Sequence, residues 1–268
     1  MSEKIIYQLQ NLGYSYPSGE EALINISLNV HQGERLILMG ANGSGKSTLL
    51  KLMNGLIFPS QGMLYAFGEN INEKNLNRED FAYAFRRKVG FVFQNSDAQL
   101  FNPTVVEEIA FGPVQMGLTA VEVKQRVEEI ITLLGLEHLR NRPPFKLSGG
   151  EKKKVALASV LSINPDVLLL DEPTDGLDPR TQRWLINLIQ QLNEAKKTII
   201  MSTHNLEIIE KVADRVAIIG EDHQLVALDS RERIMNKKSL LIRVNLIDDG
   251  FTEQHIHADT HRHQHLHD

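Results

Sequence analysis

The stretch "RLILMGANGSGKST" spans residues 35–48 and joins a run of apolar side chains to a glycine-rich loop. Gly40, Gly45, Lys46 and Ser47 fit the pattern G-x-x-x-x-G-K-[ST] without exception. Glycines let successive backbone N–H groups converge on phosphate oxygens, and the helix that follows points its positive end at the same place. We therefore expect the loop to bind a triphosphate. A plain glycine turn before a helix is the alternative.

The polar side chains of this loop have distinct predicted roles. Lys46 brings a full charge, worth about 4 kcal/mol toward a unit charge roughly 4 Å away at an effective dielectric near 20. The Ser47 hydroxyl can coordinate Mg²⁺. The residues predicted to contact the nucleotide are Gly40, Asn42, Gly43, Ser44, Gly45, Lys46, Ser47 and Thr48.

A second, acidic motif stands in "VLLLDEPTDGLDP", residues 167–179. Asp171 ends the apolar run, where its carboxylate can hold Mg²⁺ through water. Glu172 can polarise the attacking water as a general base, a role typically worth about 10²–10⁴-fold in rate. The alternative is a pair of surface carboxylates that cap a strand.

Short apolar runs alternate with helical patterns, which predicts an α/β fold with a mainly parallel sheet. Their continuous apolar character suits strands that are buried on both faces. The N-terminal stretches "IIYQLQNLGYSYP" and "ALINISLNV" instead predict short antiparallel strands. The candidates for the parallel strands are residues 35–40, 167–172, 198–203 and 216–220.

Residues 95–158 lack such buried strands, and we interpret them as a helical insert in the α/β core. Thr119 and Glu122 form a capping-box pattern at the start of one helix, and Gly135 ends that helix. The patterning weakens beyond residue 231. We therefore expect a main domain over residues 1–231 and a C-terminal extension over residues 232–268.

The composition excludes some classes of protein. The chain has 268 residues, of which 42% are hydrophobic and 24% charged, as in ordinary soluble proteins. A net charge of −5 argues against a general nucleic-acid binder, and the lack of cysteine excludes disulfides and fits a cytosolic protein. Residues 1–10 show no signal-peptide core, and the longest uncharged run, 52–68, is broken by Asn54 and Pro59. We expect a chain that does not span a membrane.

The motifs "LSGGE" (147–151) and "DEPTDGLDP" (171–179) closely resemble those of the ABC-transporter ATPase superfamily. The resemblance covers residues 4 to about 230. It implies an ABC ATPase cassette with a RecA-like parallel-sheet core, an N-terminal antiparallel β subdomain and a helical insert, which hydrolyses ATP with Mg²⁺.

Several residue roles are implied by this resemblance. Tyr16 would stack on adenine, although core packing beside Tyr14 remains an alternative. Gln94 would sense the γ-phosphate and Mg²⁺, as a catalytic residue and metal ligand. His204 would contact the γ-phosphate as a switch residue, whereas a structural histidine at a strand end is the alternative.

The resemblance also implies a dimer, because Ser148, Gly149 and Gly150 would bind the γ-phosphate held by the loop of a second chain. Asp178 would link the two sites. The "SGG" triplet precedes a predicted helix, "EKKKVALASVL", so its backbone can form a second anion-binding helix terminus. A plain serine cap is the alternative. We expect a homodimer or a pair of related ATPase chains.

Residues 93–113, "FQNSDAQLFNPTVVEEIAFGP", look like the ATPase subunits of energy-coupling-factor transporters. Such importers combine two cassettes with a transmembrane scaffold and a substrate-binding membrane protein, which implies a peripheral position on the cytoplasmic face of the membrane. A groove near Gln94, Asp97, Gln99 and Phe101 would receive helices of the scaffold. A solvated loop is the alternative.

The C-terminal tail is rich in histidine, which suggests metal binding. In an extended chain the odd-numbered histidines would share one face, and neutral imidazoles can chelate Ni²⁺, Co²⁺, Cu²⁺ or Zn²⁺. An inert polar tail and the remnant of an expression tag are alternatives, although Asp259 and Arg262 interrupt the spacing. The candidate ligands are His255, His257, His261, His263, His265 and His267.

Together these features predict an ATPase subunit that powers import of cobalt or nickel. A vitamin importer and a soluble ABC ATPase outside transport remain open, as does a metal-storage or metal-sensing protein. Soluble types usually carry two cassettes or a long coiled coil, whereas here about 100 residues without sustained heptads separate loop and "LSGGE".

Overall fold

The computed structural model describes residues 4–246. Its strands are β1 (Ile5–Ser15), β2 (Glu21–His31), β3 (Arg35–Met39), β4 (Gln61–Ala66), β5 (Glu69–Asn70), β6 (Val89–Val92), β7 (Val167–Leu170), β8 (Thr198–Ser202), β9 (Arg215–Ile219) and β10 (Leu225–Ser230). Its helices are α1 (Lys46–Met53), α2 (Glu73–Leu76), α3 (Glu79–Lys88), α4 (Val105–Gln115), α5 (Ala120–Leu134), α6 (Gly149–Leu161), α7 (Pro179–Glu194), α8 (Leu206–Val212), α9 (Arg231–Met235) and α10 (Lys238–Arg243).

The larger sheet runs in the order β10-β9-β3-β8-β7-β6. Its neighbours pair in parallel except β10, which is antiparallel to β9. The smaller sheet is antiparallel, in the order β2-β1-β4-β5. The α/β architecture and the N-terminal antiparallel subdomain predicted from the sequence are thus confirmed.

The parallel strands are buried on both faces, as their continuous apolar runs predict. Along β3, Leu36 and Leu38 belong to one hydrophobic core, while Ile37 and Met39 belong to the other. One core lies toward α1 and the antiparallel sheet, and the other lies toward the helices between α4 and α8. The sheet is therefore sandwiched between two apolar layers.

Strand β6 was missed by the sequence patterns, because it is short and contains a glycine. Gly90 lies so close to α6 that a Cβ atom there would stand 2.3 Å from Cγ1 of Val160. The glycine therefore permits close packing of strand on helix, which a search for β-branched apolar runs does not reveal. Strand β10 was also missed, since its residues are only half-buried.

The capping prediction in the insert is confirmed. The Thr119 side chain accepts a hydrogen bond from the backbone N–H of Glu122, and the Glu122 carboxylate accepts one from the N–H of Thr119. The helix ends at Gly135 in the left-handed conformation. Helices α4 and α6 pack on each other, and α6 also packs against β6. Helix α6 therefore joins the insert to the sheet.

The predicted extension begins against the core. Ile234, Leu241 and Val244 are buried in the same hydrophobic core as the helices between α4 and α8. The domain boundary at residue 231 stays a prediction. Among residues 4–246, no helix is both long and apolar enough to span a bilayer.

Candidate functional site

The carboxyl ends of the parallel strands bring the predicted motifs to one edge of the sheet. The glycine-rich loop follows β3, and Gln94 follows β6 by two residues. Asp171 and Glu172 follow β7, and His204 follows β8. Because ligands of open α/β sheets bind at the carboxyl ends of strands, this edge is the expected place for a site.

The glycine-rich loop forms a tight cradle before α1. Gly45 caps the helix with φ 106°, and a Cβ atom there would stand 2.3 Å from the carbonyl oxygen of Ala22. Only glycine combines that left-handed backbone with such a close approach. The N-terminus of α1 thus faces the cavity without side-chain obstruction, as phosphate binding requires.

Lys46 is 6% exposed and holds the loop together. Its Nζ donates to the carbonyl oxygens of Gly40 at 2.9 Å and Ala41 at 3.0 Å, and it lies 3.9 Å from Oε1 of Glu172. Burial lowers the pKa of the Lys46 ammonium, while the Glu172 and Asp171 carboxylates offset part of that shift. The ammonium is a preorganised positive group at the mouth of the cradle.

One carboxylate oxygen of Asp171 accepts hydrogen bonds from two serine hydroxyl groups. Ser47 Oγ donates to Asp171 Oδ1 at 2.8 Å, and Ser202 Oγ donates to the same atom at 2.7 Å. Ser202 Oγ also accepts a hydrogen bond from the backbone N–H of Glu172 at 2.8 Å. Ser202 therefore fixes both acidic residues, although the sequence motifs did not single it out.

Glu172 is 6% exposed, and its backbone has φ 40°. A non-glycine residue with this left-handed backbone stores local strain, which often marks a functional residue. His204 Nδ1 lies 3.3 Å from Glu172 Oε2 but without hydrogen-bond geometry. Within residues 4–246, Glu172 Oε2 and Ser44 Oγ are buried and have no hydrogen-bond partner. Both atoms belong to the predicted site, so each has capacity for a partner from outside the chain.

A cavity of about 470 Å³ opens over this cradle, within the size range of small-molecule sites. Tyr16 lies on its wall, with its hydroxyl 2.8 Å from Oγ1 of Thr48 and its ring edge-on to Tyr14. Gln94 donates from Nε2 to Oδ2 of Asp175 at 3.1 Å. The cavity is lined by Tyr16, Glu20, Ala22, Asn42, Gly43, Gly45, Lys46, Ser47, Thr48, Gln94, Glu172, Asp175, His204 and His223.

His223 is a cavity residue that the sequence analysis missed. It stands in the turn between β9 and β10 with φ 61°, and its Nδ1 is 3.4 Å from the carbonyl oxygen of Ser44. Its own carbonyl accepts from the N–H of Ile24 at 2.9 Å. No local motif marks this residue, because the turn enters the cavity only through the pairing of β9 with β3.

The residues of the cradle fit ATP and Mg²⁺. The glycine backbone, the helix terminus and Lys46 suit phosphates. The Ser47 hydroxyl and the Asp171 carboxylate offer hard oxygen ligands, as Mg²⁺ prefers. Within the described part of the chain, no cluster of three or more His, Asp or Glu side chains is arranged to hold a metal. A site of one carboxylate plus substrate phosphates is the usual arrangement for Mg²⁺.

The serine–glycine motif lies apart from the cavity wall. Ser148 caps α6, and its hydroxyl and Glu151 satisfy each other in a capping box. Hydrogen bonds from Ser148 lower the pKa of Glu151. Among the described residues, a Cβ atom on Gly149 would meet nothing within 4 Å, and one on Gly150 would stand 3.2 Å from Thr181 Oγ1. The structure therefore groups this motif with the start of α7 and not with the cradle.

Asp178 belongs to that second group. Its Oδ1 accepts from the backbone N–H groups of Arg180 and Thr181, and its Oδ2 accepts from the Thr181 hydroxyl at 2.6 Å. The bond from the Thr181 hydroxyl, with those from the backbone, lowers the pKa of Asp178. Asp178 caps α7 beside Gly150.

The histidine-rich positions 255–267 lie outside the described residues.

Comparison with known proteins identifies relatives over nearly the whole chain. The family model "ABC transporter" matches residues 23–175. An ABC transporter ATP-binding protein of Caldanaerobacter subterraneus subsp. tengcongensis is 52% identical, covering 90% of this chain and 99% of the relative. The nickel import ATP-binding protein NikO of Rhodobacter capsulatus is 43% identical, covering 90% and 95%. The energy-coupling factor transporter ATP-binding protein EcfA of Methanothermobacter thermautotrophicus is 41% identical, covering 89% and 75%.

Solved structures share the fold. CbiO1 of Clostridium perfringens, described as part of the ABC transporter complex CbiONQ, superposes with a TM-score of 0.78 at 35% identity, covering 91% of this chain and 96% of that one. A dimeric ATP-binding cassette in a post-hydrolysis state with ADP and Pi superposes with a TM-score of 0.76 at 30% identity, covering 84% and 99%.

Proposed function

The chain belongs to the ABC transporter ATP-binding family, whose cassettes bind and hydrolyse ATP, and we propose that it powers the import of nickel or cobalt ions as an energy-coupling-factor ATPase subunit. Support for an importer comes from the names of relatives, which include a nickel import protein, an energy-coupling-factor protein and a component of the complex CbiONQ. The uptake experiment below distinguishes among nickel, cobalt and a vitamin as the transported solute.

The buried Glu172 carboxylate is the observation that carries the hydrolytic part of the proposal. Within residues 4–246 its Oε2 atom has no hydrogen-bond partner, and its Oε1 atom lies 3.9 Å from the Lys46 ammonium. A fixed carboxylate at the mouth of the cradle can orient a water toward the terminal phosphate and accept its proton. Lys46 would bind the phosphate oxygens. Ser47, Gln94 and Asp171 would hold Mg²⁺, which neutralises the charge that develops on the phosphates.

The serine–glycine motif supports a dimer of cassettes. Ser148 and Gly149 are exposed at the start of α6 and do not line the cavity of their own chain. A helix N-terminus attracts an anion, and a second chain would supply one as the phosphate in its cradle. Closure of the two chains around ATP and opening after hydrolysis would be a ligand-shifted equilibrium.

An exposed aromatic loop supports docking of a membrane partner. Phe101 is 66% exposed and packs edge-on against Phe111 with ring centroids 4.9 Å apart. The buried Glu108 carboxylate accepts hydrogen bonds from the N–H groups of Phe101 and Asn102 at 2.9 and 2.8 Å. The loop thus presents a fixed apolar surface to a scaffold helix. Gln99 points inward instead, since its amide donates to the Ala156 carbonyl oxygen at 3.0 Å.

Copurification tests this docking surface. We expect the wild-type chain, expressed in its native host and extracted in mild detergent, to bring down transmembrane chains, and we place it at the cytoplasmic face of the membrane on this basis. Phe101→Ala should lose these partners while the isolated subunit keeps its ATPase activity. The matched control is Leu133→Ala, an exposed residue of α5 (57%) far from the loop in sequence. Retention of the partners by Phe101→Ala would contradict the proposed surface, and absence of membrane partners for the wild type would favour a soluble ATPase.

The transported solute is tested with the copurified complex in vesicles. We expect ATP-dependent uptake of radiolabelled Ni²⁺ or Co²⁺, abolished by Glu172→Gln. Uptake of a vitamin with no uptake of either metal would overturn the choice of solute but leave the importer assignment intact.

We also propose that the histidines at positions 255–267 bind Ni²⁺ or Co²⁺. Neutral imidazoles are the commonest ligands for such ions in proteins. Equilibrium dialysis should show more metal bound by the full chain than by a version ending at Asp249. Equal binding by the two would refute a metal role for the tail without affecting the ATPase assignment.

A further inference from the structure

Three consecutive lysines in α6 have different environments. Lys152 Nζ lies 2.6 Å from Oδ1 of Asp97 at the surface, and Lys154 Nζ lies 4.8 Å from the ring centroid of Trp184. Lys153 is only 3% exposed. Burial of an ammonium group costs free energy, so a fold that buries one must supply good acceptors. Lys153 is therefore the member of this run that invites a functional explanation.

The acceptors of Lys153 belong to the backbone of the catalytic edge. Its Nζ donates to the carbonyl oxygen of Phe93 at 3.1 Å and to that of Gln94 at 2.8 Å. Burial lowers the pKa of Lys153, and the nearby Asp171 and Asp175 carboxylates oppose that shift. The ammonium thus lies beneath the segment that carries Gln94, on the side away from solvent.

The same helix is bound to this segment at a second place. Gln99 accepts from the N–H of Phe93 at 3.2 Å and donates to the Ala156 carbonyl oxygen at 3.0 Å. Helix α6 therefore contacts both ends of the segment from Phe93 to Gln99. Because α6 begins at the Ser148 motif, the helix physically joins that motif to Gln94.

We propose that Lys153 is a positioning residue for ATP hydrolysis, which fixes the Phe93–Gln94 backbone to α6 so that Gln94 and the Ser148 motif move as one unit. This inference rests on the roles proposed above for Gln94 and Ser148. It assigns no chemical step to Lys153, whose ammonium contacts backbone oxygens and not the nucleotide cradle.

Lysine-to-methionine variants along α6 separate positioning from a merely structural role. Lys153→Met keeps the length of the side chain but removes both hydrogen bonds. We expect kcat to fall roughly 10- to 100-fold, as small misplacements of positioning groups do. The KM for ATP should change less than about threefold, because the Lys46 cradle is untouched. Lys154→Met, whose ammonium lies over the Trp184 ring and not against the Phe93–Gln99 segment, is the matched control and should stay within about twofold of wild-type kcat.

A partial rescue and a stability measurement complete the test. Lys153→Gln can still donate from an amide, and it should recover part of the lost kcat. The thermal unfolding temperature of Lys153→Met should stay close to that of the control variant Lys154→Met. The proposal would be overturned if Lys153→Met and Lys153→Gln lost the same activity and were both thermally destabilised, because that result would indicate a structural lysine.

A double-mutant cycle links Lys153 to Gln94. Gln94→Ala should reduce kcat by itself, and adding Lys153→Met should cause little further loss, since the positioned amide is already gone. Multiplicative losses would overturn the proposed connection. If Gln94→Ala leaves kcat unchanged, the role of Gln94 fails and the inference fails with it, whereas the importer proposal is decided separately by copurification.

Discussion

The cradle at Gly40–Thr48 and the serine–glycine tip at Ser148–Gly150 are both starts of helices, yet the two regions are built differently. The cradle lies on a cavity wall, contains a buried lysine and adjoins buried atoms that lack partners, Ser44 Oγ and Glu172 Oε2, among the described residues. The tip is exposed, and its serine is already satisfied by Glu151. The cradle is thus a nearly complete site on one chain.

The tip can contribute only when a second surface covers it. One chain holds the lysine, the acidic pair and the cavity together, whereas its own tip belongs with Asp178 and Thr181. The contrast teaches that nucleotide binding and turnover should be separable by mutation. Changes in the cradle should affect a single chain, and changes in the tip should affect only the assembled pair.

The largest expected effect comes from Glu172→Gln. Loss of the general base should reduce turnover by about 10²–10⁴-fold while ATP binding persists. ATP-bound dimers should then accumulate, as size-exclusion chromatography with light scattering would detect. Glu232→Gln, at a largely exposed position (81%), is the control. Normal turnover of Glu172→Gln would refute its role as the base.

A second prediction contrasts two glycines. Gly45→Ala should abolish ATP binding, because its Cβ would stand 2.3 Å from the Ala22 carbonyl oxygen. Gly149→Asp has open space and should fold, but its negative charge would repel the γ-phosphate of the partner chain. Turnover should drop by roughly 10²–10³-fold, as for loss of a transition-state donor. Calorimetry should show unchanged nucleotide binding by the Gly149→Asp monomer. Loss of nucleotide binding by that monomer would mean that the tip contributes to the cradle of its own chain.

A smaller effect is expected for His223→Asn. Asparagine tolerates the left-handed backbone at this turn but lacks the imidazole ring that lines the cavity. ATP affinity should fall about three- to tenfold, since a tenfold loss corresponds to about 1.4 kcal/mol of lost contact, and calorimetry of ATP binding would measure the change. His138→Asn, an exposed position in the insert, is the control. An ATP affinity equal to that of the wild type would contradict a contact between His223 and the nucleotide.

The smallest effect compares the two capping boxes, at Thr119 and Ser148. Alanine at either position should cost about 1 kcal/mol of stability. Only Ser148→Ala should also slow turnover, since Thr119 caps a helix outside the proposed site. Hydrogen bonds from Ser148 hold the pKa of Glu151 below its ordinary value of 4.5. The Ser148 contribution should therefore be present above about pH 4.5 and be lost as the pH falls through the lowered pKa. Denaturant titrations of the two variants at pH 7 and pH 3.5 would measure the loss of stability and its pH dependence. An ATPase assay would measure the turnover of each variant.

Much of the fold could be predicted because its signals are local. The strand cores at 35–39, 167–170, 198–202 and 216–219 are continuous apolar runs, and glycine, capping and acidic motifs stand directly at their ends. The order of the strands could not be predicted from these patterns. Strand β3 lies between β8 and β9, and both of these strands are far from β3 in sequence. Only pairing between distant segments decides this order.

The sequence by itself determined the chemistry of the cradle, because the glycines, Lys46 and Ser47 stand at fixed spacing along the chain. Folding brings the acidic pair at positions 171 and 172 to that loop. The tertiary structure alone decided which residues surround that chemistry: Ser202 beneath the acidic pair, His223 on the cavity wall, and Lys153 among three adjacent lysines. Burial is a property of packing between distant segments. Identical side chains in a row therefore acquire different environments only once the helix that carries them is docked.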